Sequence, residues 1–389
     1  MKKGLHTKSL LILLFSIALS VAQPVPVCGD NELELMPIHD PQNTAGWLGY
    51  VLATTGEFVI KPTYSTGLDF HEGLARVSVY SKYGFIDTAN NTVVAIEYDY
   101  ALSFNEGLAQ VRVGKNWGYI DRTGGLVIPP QYEACSEFRD GIAQVKLDGK
   151  WGVIDTAGEI LISPRFSSPP DFTEGLARII VGGRIGFINK TGDIVIDPLF
   201  DYARPFREGA AAVRSDGQWL LIDRTGRPLF AARYDDLDSP SEGLACFKSG
   251  GNYGFLDKTG AVVIPPIYEK AWPFRQNLAQ VVIAGKSGFI DKTGDLVIPA
   301  CFDALWDIGG FVDGLAEATQ DGKWGCIVLD GRWIIPPEAP RQGLLERFYP
   351  KAGVIVYNKT CYHISGKKLA YPLPSSSLEY FYRPPKHTK

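Results

Sequence analysis

Residues 117–130 read Trp117-Gly118-Tyr119-Ile120-Asp121-Arg122-Thr123-Gly124-Gly125-Leu126-Val127-Ile128-Pro129-Pro130. Variants of this phrase return every 34 residues. Its hairpin glycine stands at Gly56, Gly124, Gly158, Gly192, Gly226, Gly260 and Gly294, with Asn90 in the remaining slot. Gly331 closes the series after three inserted residues around Ile308-Gly309-Gly310. A fixed period of this size belongs to a repeat architecture, in which each unit buries its apolar surface against its neighbours. Chains built this way work as binding surfaces.

Residues 107–140 give one unit in full. In Gly107-Leu108-Ala109-Gln110-Val111-Arg112-Val113 the alternation puts Ala109, Val111 and Val113 on one face of a strand. Gly114-Lys115-Asn116 turns the chain into a second strand, Trp117 to Asp121. Arg122-Thr123-Gly124 is a second turn whose glycine slot needs positive φ, and asparagine at position 90 is the usual second choice there. Leu126-Val127-Ile128 is a third strand, stopped by Pro129-Pro130. Tyr132 to Asp140 is a connector to the next unit.

The columns agree with this division. Ile86, Ile120, Ile154, Ile188, Ile222, Leu256, Ile290 and Ile327 supply one aliphatic residue per unit. The adjacent column, Phe85, Tyr119, Val153, Phe187, Leu221, Phe255 and Phe289, points to the opposite face and is also apolar, so the second strand is covered on both sides. Phe70, Phe104, Phe138, Phe172, Phe206, Phe274 and Phe311 recur in the connector, as lids between units.

The phrases Trp117-Gly118-Tyr119-Ile120-Asp121, Thr123-Gly124, Val127-Ile128-Pro129-Pro130 and Glu106-Gly107-Leu108-Ala109 resemble the WG (KWG) repeat of bacterial proteins. The likeness spans about nine units, from Gly49 to roughly Pro337. It implies a β-rich repeat protein with a binding or scaffolding role, and it carries over no catalytic residue. Local departures are Leu220 for the glycine of Trp-Gly, Ile185 and Ser287 for its aromatic, and Gln276-Asn277 for Glu-Gly.

Composition sets the class. The chain is 45% hydrophobic and 21% charged, with 42 glycines and two methionines, and no long run of helix formers occurs. Lys2, Lys3 and Lys8, then the apolar run Ser9 to Leu19, then Ser20-Val21-Ala22 have the order of a cleaved secretory signal, and the apolar stretch is short for a membrane span. Cys28 follows Val27, where lipidation needs a small residue, so a lipoprotein is rejected. Losing residues 1–22 leaves 36 of the 39 basic residues against 43 acidic ones, a net of −7. That charge suits neither nucleic acid nor anionic lipid. The six cysteines, Cys28, Cys135, Cys246, Cys301, Cys326 and Cys361, occupy different slots of the unit and lack metal-ligand spacing. Their pairing stays open, with gap-filling by small apolar residues as an equal alternative.

Candidate sites are weighed against packing. Asp87, Asp121, Asp155, Asp223, Asp257 and Asp291, with Asn189, give one carboxylate or amide per hairpin. A calcium loop gathers several oxygens from one segment, so these residues are expected to cap turns. The column Tyr83, Trp117, Trp151, Trp219, Tyr253 and Trp324 is expected to pack between units rather than hold sugar rings. Trp272 and Trp306 are specific to their units and sit on connectors, which makes them candidates for contact with a ligand. The polar column Arg76, Gln110, Gln144, Arg178 and Gln280 reads as a solvated stripe able to hydrogen-bond an extended polymer. His39, His71 and His363 have no spaced partner, and no hydrolase, phosphate-loop or dinucleotide motif occurs. Asn90, Asn189 and Asn358 match the glycosylation triplet, but turn chemistry explains the two hairpin asparagines.

The expected fold is all-β: a tandem array of about nine 34-residue three-stranded units, as an open twisted β-solenoid in preference to a closed propeller, whose blades have four strands and about 40 residues. The expected divisions are a signal peptide (1–22), a linker (23–46), the array (47–337), an irregular cap (338–372) containing a last hairpin, and a disordered tail (373–389). The expected function is an exported, non-enzymatic binding or scaffold protein for a protein or extended polymer. The alternative is a carbohydrate or cell-wall binder using exposed Trp and Tyr. No cofactor, metal, nucleic acid or membrane span in the mature chain is expected.

Overall fold

The computed structural model describes residues 34–39, 47–303, 310–340, 345–349, 353–357, 360–363 and 368–372. The expected signal peptide and tail lie outside the described residues, as does Trp306. Among the described residues every regular element is a β-strand, and the strands form ten antiparallel sheets whose order follows the sequence. No sheet closes on itself.

The unit around Trp117 shows how the sequence does this. The strands Tyr100–Ala101, Leu108–Val113, Asn116–Asp121 and Leu126–Tyr132 lie side by side in chain order. The middle hairpin is in perfect register, Val113 facing Asn116 and Leu108 facing Asp121. Asn90 adopts φ 69° and Gly124 φ 87°, as the second turn demands.

Three strands per unit were expected, and most units have four. The extra one comes from the connector, where two-residue strands such as Ala134–Cys135 and Tyr202–Ala203 pair with the first strand of their unit. Two residues cannot display alternation, so periodicity has nothing to register there. Strand number therefore no longer separates this array from a propeller blade. Among the described residues the hydrophobic clusters join units that are consecutive in sequence, and this is consistent with an open solenoid-like array. Leu108, Tyr119, Ile128 and Tyr132 of one unit meet Phe138, Ala143, Val145 and Ile154 of the next. The connector phenylalanine caps the preceding strand: Phe138 lies 4.7 Å from the Tyr119 ring, and Phe104 lies 4.7 Å from Phe85.

Both ends differ from expectation. The stretch 23–46 supplies a strand, Leu35–His39, which pairs antiparallel with Leu48–Leu52. In the cap, the strands Leu345–Tyr349, Val354–Tyr357, Thr360–His363 and Lys368–Pro372 form a full four-stranded sheet instead of one hairpin. Ile355 of that sheet packs with Leu315, Cys326 and Ile335 of the last repeat.

The Trp-Gly glycine has a steric cause. Against Asn116–Asp121 the third strand is bulged, with Tyr132 facing Trp117 but Ile128 facing Tyr119. The bulge brings the Ile128 carbonyl oxygen and the Pro130 nitrogen onto Gly118, where a β-carbon would meet the latter at 2.7 Å. Leu220 shows the converse. Its unit keeps Tyr202–Ala203, Ala210–Ser215 and Gln218–Asp223, but the third strand shrinks to two isolated bridges, Trp219 to Tyr234 and Ile222 to Pro228. Leu220 is itself buried in the core. The substitution thus removes a strand from its sheet, beyond the weakened turn that the sequence suggests. Gly118→Ala is expected to cost about 1–3 kcal/mol through overpacking. The check is thermal unfolding together with hydrogen exchange, with the new exchange concentrated in Leu126–Tyr132; unchanged exchange there would refute the steric account.

Candidate binding surface

The turn aspartates cap, as expected. Asp121 Oδ1 accepts from the Thr123 N–H (2.8 Å), the Thr123 hydroxyl (2.7 Å) and the Gly125 N–H (2.9 Å). The same three bonds recur at Asp223, Asp257 and Asp291, and at Asn189. The threonine hydroxyl, with backbone N–H groups adding to it, holds Asp121, Asp223, Asp257 and Asp291 below the usual carboxylate value of 3.8.

The polar column is not a solvated stripe. Arg76, Gln110 and Gln280 are 7%, 4% and 2% exposed, and Gln144 and Arg178 are half-buried. These side chains lie between sheets, where the next connector presents backbone carbonyls. Arg76 donates to the Ala101 carbonyl (3.1 Å), Gln110 to that of Cys135 (3.0 Å) and Arg178 to that of Ala203 (2.9 Å). Gln280 donates to the Ser287 hydroxyl at 3.3 Å. A buried carbonyl needs a donor, so Arg76, Gln110 and Arg178 satisfy the connector backbone. Trp272 is half-buried on its connector.

The Trp and Tyr column is buried or half-buried. Directly across from Trp117, Trp151, Trp219 and Tyr253 stand Arg112, Lys146, Arg214 and Lys248. The units that lack the aromatic, at Ile185 and Ser287, carry aliphatic Ile180 and Val282 opposite. Arg112 sits 5.7 Å from the Trp117 ring and 5.6 Å from Tyr100, and Lys248 sits 5.3 Å from Tyr253. Four of the six aromatics of the column thus face a cation, while Tyr83 and Trp324 face Ser78 and Thr319.

A second role was hidden in the Glu-Gly phrase. Both of its residues take positive φ, 52° at Glu106 and 79° at Gly107. Their N–H groups point away from the hairpin, towards the preceding unit, whose glutamate reaches across to accept them. Glu72 accepts from Gly107 N–H (3.0 Å). Glu106 accepts from Asp140 and Gly141 (2.7 and 2.9 Å), and Glu174 from Glu208 and Gly209 (2.5 and 2.9 Å). Glu208, Glu242 and Gln276 continue the series to Gly243, Asn277 and Gly314. Arg122, Lys190 and Lys258 donate to the carbonyls of Glu72, Asp140 and Glu208. The signal available in the sequence was glutamate recurring in a left-handed turn slot that ordinarily favours asparagine or glycine.

These turns border a groove of about 990 Å3, lined by five successive connectors from Leu68 to Arg207. Among the described residues no cluster of three or more His, Cys, Asp or Glu is placed to hold a metal. Cys135, Cys246, Cys301 and Cys326 are unbridged. Burial pushes the Cys326 thiol up to about 12 and raises that of Cys246, as fits small core fillers.

A sequence model described as the WG containing repeat matches residues 54–83, 83–117, 117–151, 151–184, 185–219, 221–253, 253–286 and 288–324. The chain belongs to the WG-repeat family. None of the curated proteins matches it. Solved structures similar to this WG-repeat chain include a eukaryotic initiation factor, at 13% identity over 77% of this chain and 95% of that one, with a TM-score of 0.49. Apo AztD from Citrobacter koseri matches at 14% identity over 87% and 93%, with a TM-score of 0.29. PorZ, a bacterial surface component of the type-IX secretion system of Porphyromonas gingivalis, matches at 10% identity over 80% and 52%, with a TM-score of 0.28.

The capped aspartates set an acid dependence. A carboxyl whose folded pKa lies below its unfolded one stabilises the fold above the unfolded value, and that gain is lost as pH falls through the folded value. The thermal midpoint is therefore expected to fall once pH drops below about 4. Titrating the Asp121 carboxyl carbon by NMR checks the cause, and a midpoint above 3.8 would contradict it.

Proposed function

We propose that this chain is an exported, non-enzymatic binding or scaffold protein that engages a protein or extended polymer along its repeat surface. One observation carries this: aliphatic side chains stand exposed at the start of the outermost strand in unit after unit. Leu126, Ile160, Ile194 and Val262 are 54%, 55%, 54% and 52% exposed, with Val59, Val127, Val195, Val263 and Val297 also exposed. Exposed apolar side chains that recur at the same place in unit after unit support a contact face. Pro130, Pro164, Pro198 and Pro266 remove backbone donors from the same edge strands, which disfavours strand addition and leaves side-chain docking. The recurring polar residues are already bonded inside the array, which supports binding over catalysis. Sugar binding through exposed aromatics has less support, since the described Trp and Tyr column is buried or half-buried.

The double variant Val127→Glu with Val263→Glu is expected to keep its thermal midpoint and lose capture of partners from its own cell envelope. Undiminished capture would overturn the assignment of this face. Export is tested by N-terminal sequencing of the protein recovered from its cells. The chain is expected to begin at Gln23, and an intact Met1 terminus would overturn it.

A further inference from the structure

One sheet has an edge that the connector covers in the others. Thr66 and Gly67 lie along Ser78 and Val77, and Tyr100–Ala101 lies along Arg112 and Val111. The strands Ala134–Cys135, Tyr202–Ala203, Asp236–Leu237 and Lys270–Ala271 repeat the arrangement. In the sheet of Leu176–Val181 the same slots hold Ser168, Pro169 and Pro170, and pairing starts only where Phe172 faces Ala177. Pro170 has no N–H, so it cannot make the bond that Leu102, Ser136 and Arg204 donate to the carbonyls of Gln110, Gln144 and Ala212. Among the described residues no backbone donor of this connector reaches the matching carbonyls of Arg178 and Ile180.

The edge is open as well as unbonded. Ile180 is 74% exposed and Val181 54%. In the slot of Ile180 the other sheets carry Ser78, Arg112, Lys146, Arg214, Lys248 and Val282, all buried or half-buried. A carboxylate is missing too. The first connector residue elsewhere is an acid that accepts from a hairpin glycine: Asp99 from Gly114 N–H (2.6 Å), Glu133 from Gly149 (3.0 Å) and Asp235 from Gly250 (3.1 Å). Asp99 and Asp201 also pair with Lys82 and Arg184 of the preceding sheet. Ser167 stands in that slot here, opposite Gly182 in the hairpin and Lys150 at the repeat position of Lys82 and Arg184. We propose that the edge Arg178–Val181 takes a short extended segment of a partner protein as an added antiparallel strand, whose leading Asp or Glu meets the Gly182 N–H and Lys150.

The repeats themselves show what fits. The gap is closed at one end by the pairing of Phe172 with Ala177 and at the other by the turn at Gly182-Gly183. In the other sheets a piece of peptide fills it, with N–H donors three residues apart, as at Asp99 and Leu102. A segment with an acid and N–H donors at that spacing meets the same demands, and proline at either donor position fails them. Ile180 faces Ile185, so an apolar side chain suits the position above them. This edge is the opposite one from the third strand, whose prolines deter strand addition.

The test uses the full chain and a capped peptide with the sequence of residues 200–204, one of the chain's own connector strands. A capped peptide with the sequence of residues 166–170, which contains both prolines, is the control. The first peptide is expected to shift the amide resonances of Ile180 and Gly182, and the control is expected not to. Replacing its aspartate by asparagine is expected to weaken binding about fivefold. Before any peptide is added, the Ile180 amide is expected to exchange with solvent faster than those of Arg112 and Arg214. Pro169→Gly with Pro170→Leu copies Gly67-Leu68, so it is expected to cover the edge, slow that exchange and weaken binding by about tenfold or more. The proposal is overturned if Ile180 exchanges as slowly as Arg112, a result that needs no variant to fold. It is also overturned if the first peptide fails to bind at millimolar concentration, shifts other amides, or binds no better than the control. Self-association of the parent in sedimentation, abolished in the double variant, would overturn the partner assignment in favour of a second copy of this chain.

Discussion

The carbonyl oxygen of Ile128 occupies the space that a side chain on Gly118 would need, and the form of the unit follows from that approach. The third strand can fold over the second only where the second has no β-carbon. Gly84, Gly152, Gly186, Gly254 and Gly288 meet the same backbone atoms of their own third strands. Because the third strand is bulged there, Ile128 turns inward while Leu126 and Val127 stay outside. The apolar outer row and the buried Ile ladder are thus two consequences of one close contact.

Much of this was legible from the chain alone. The 34-residue period fixed the strands, the turns and the capping aspartates, because each rests on local chemistry that repeats. The two-residue connector strand was not legible, since its pairing is decided by the neighbouring strand and leaves no alternation. The column Arg76, Gln110, Arg178 and Gln280 was misjudged for a related reason. Alternation along a strand shows which residues share a face, but not whether another sheet's carbonyls cover that face. Sequence has no direct marker for a buried acceptor 25 residues downstream, such as the Ala101 carbonyl that Arg76 meets. The candidate Trp272 proved half-buried, and Trp306 lies outside the described residues.

Two sets of bonds between units divide the work. Apolar clusters and connector phenylalanines supply non-directional attraction, which would tolerate sliding of one sheet over the next. The glutamate bonds to left-handed turns, with Arg122, Lys190 and Lys258 behind them, fix the position of each unit on its neighbour. Charge-assisted bonds to fixed backbone N–H groups are suited to that, because their strength falls steeply with misplacement. Asp140 interrupts the second set and leaves the first intact.

The unit with Leu220 has a consequence for how the chain comes apart. In a linear array, cooperativity passes only from neighbour to neighbour, so the joint with fewest contacts divides the molecule into blocks. The unit there has lost the third strand of its sheet, although Phe230 and Tyr234 still pack on the next unit and Arg204 bridges Asp236 and Asp238. Tension or denaturant should therefore release the array as two segments, with a mechanical fuse set between them.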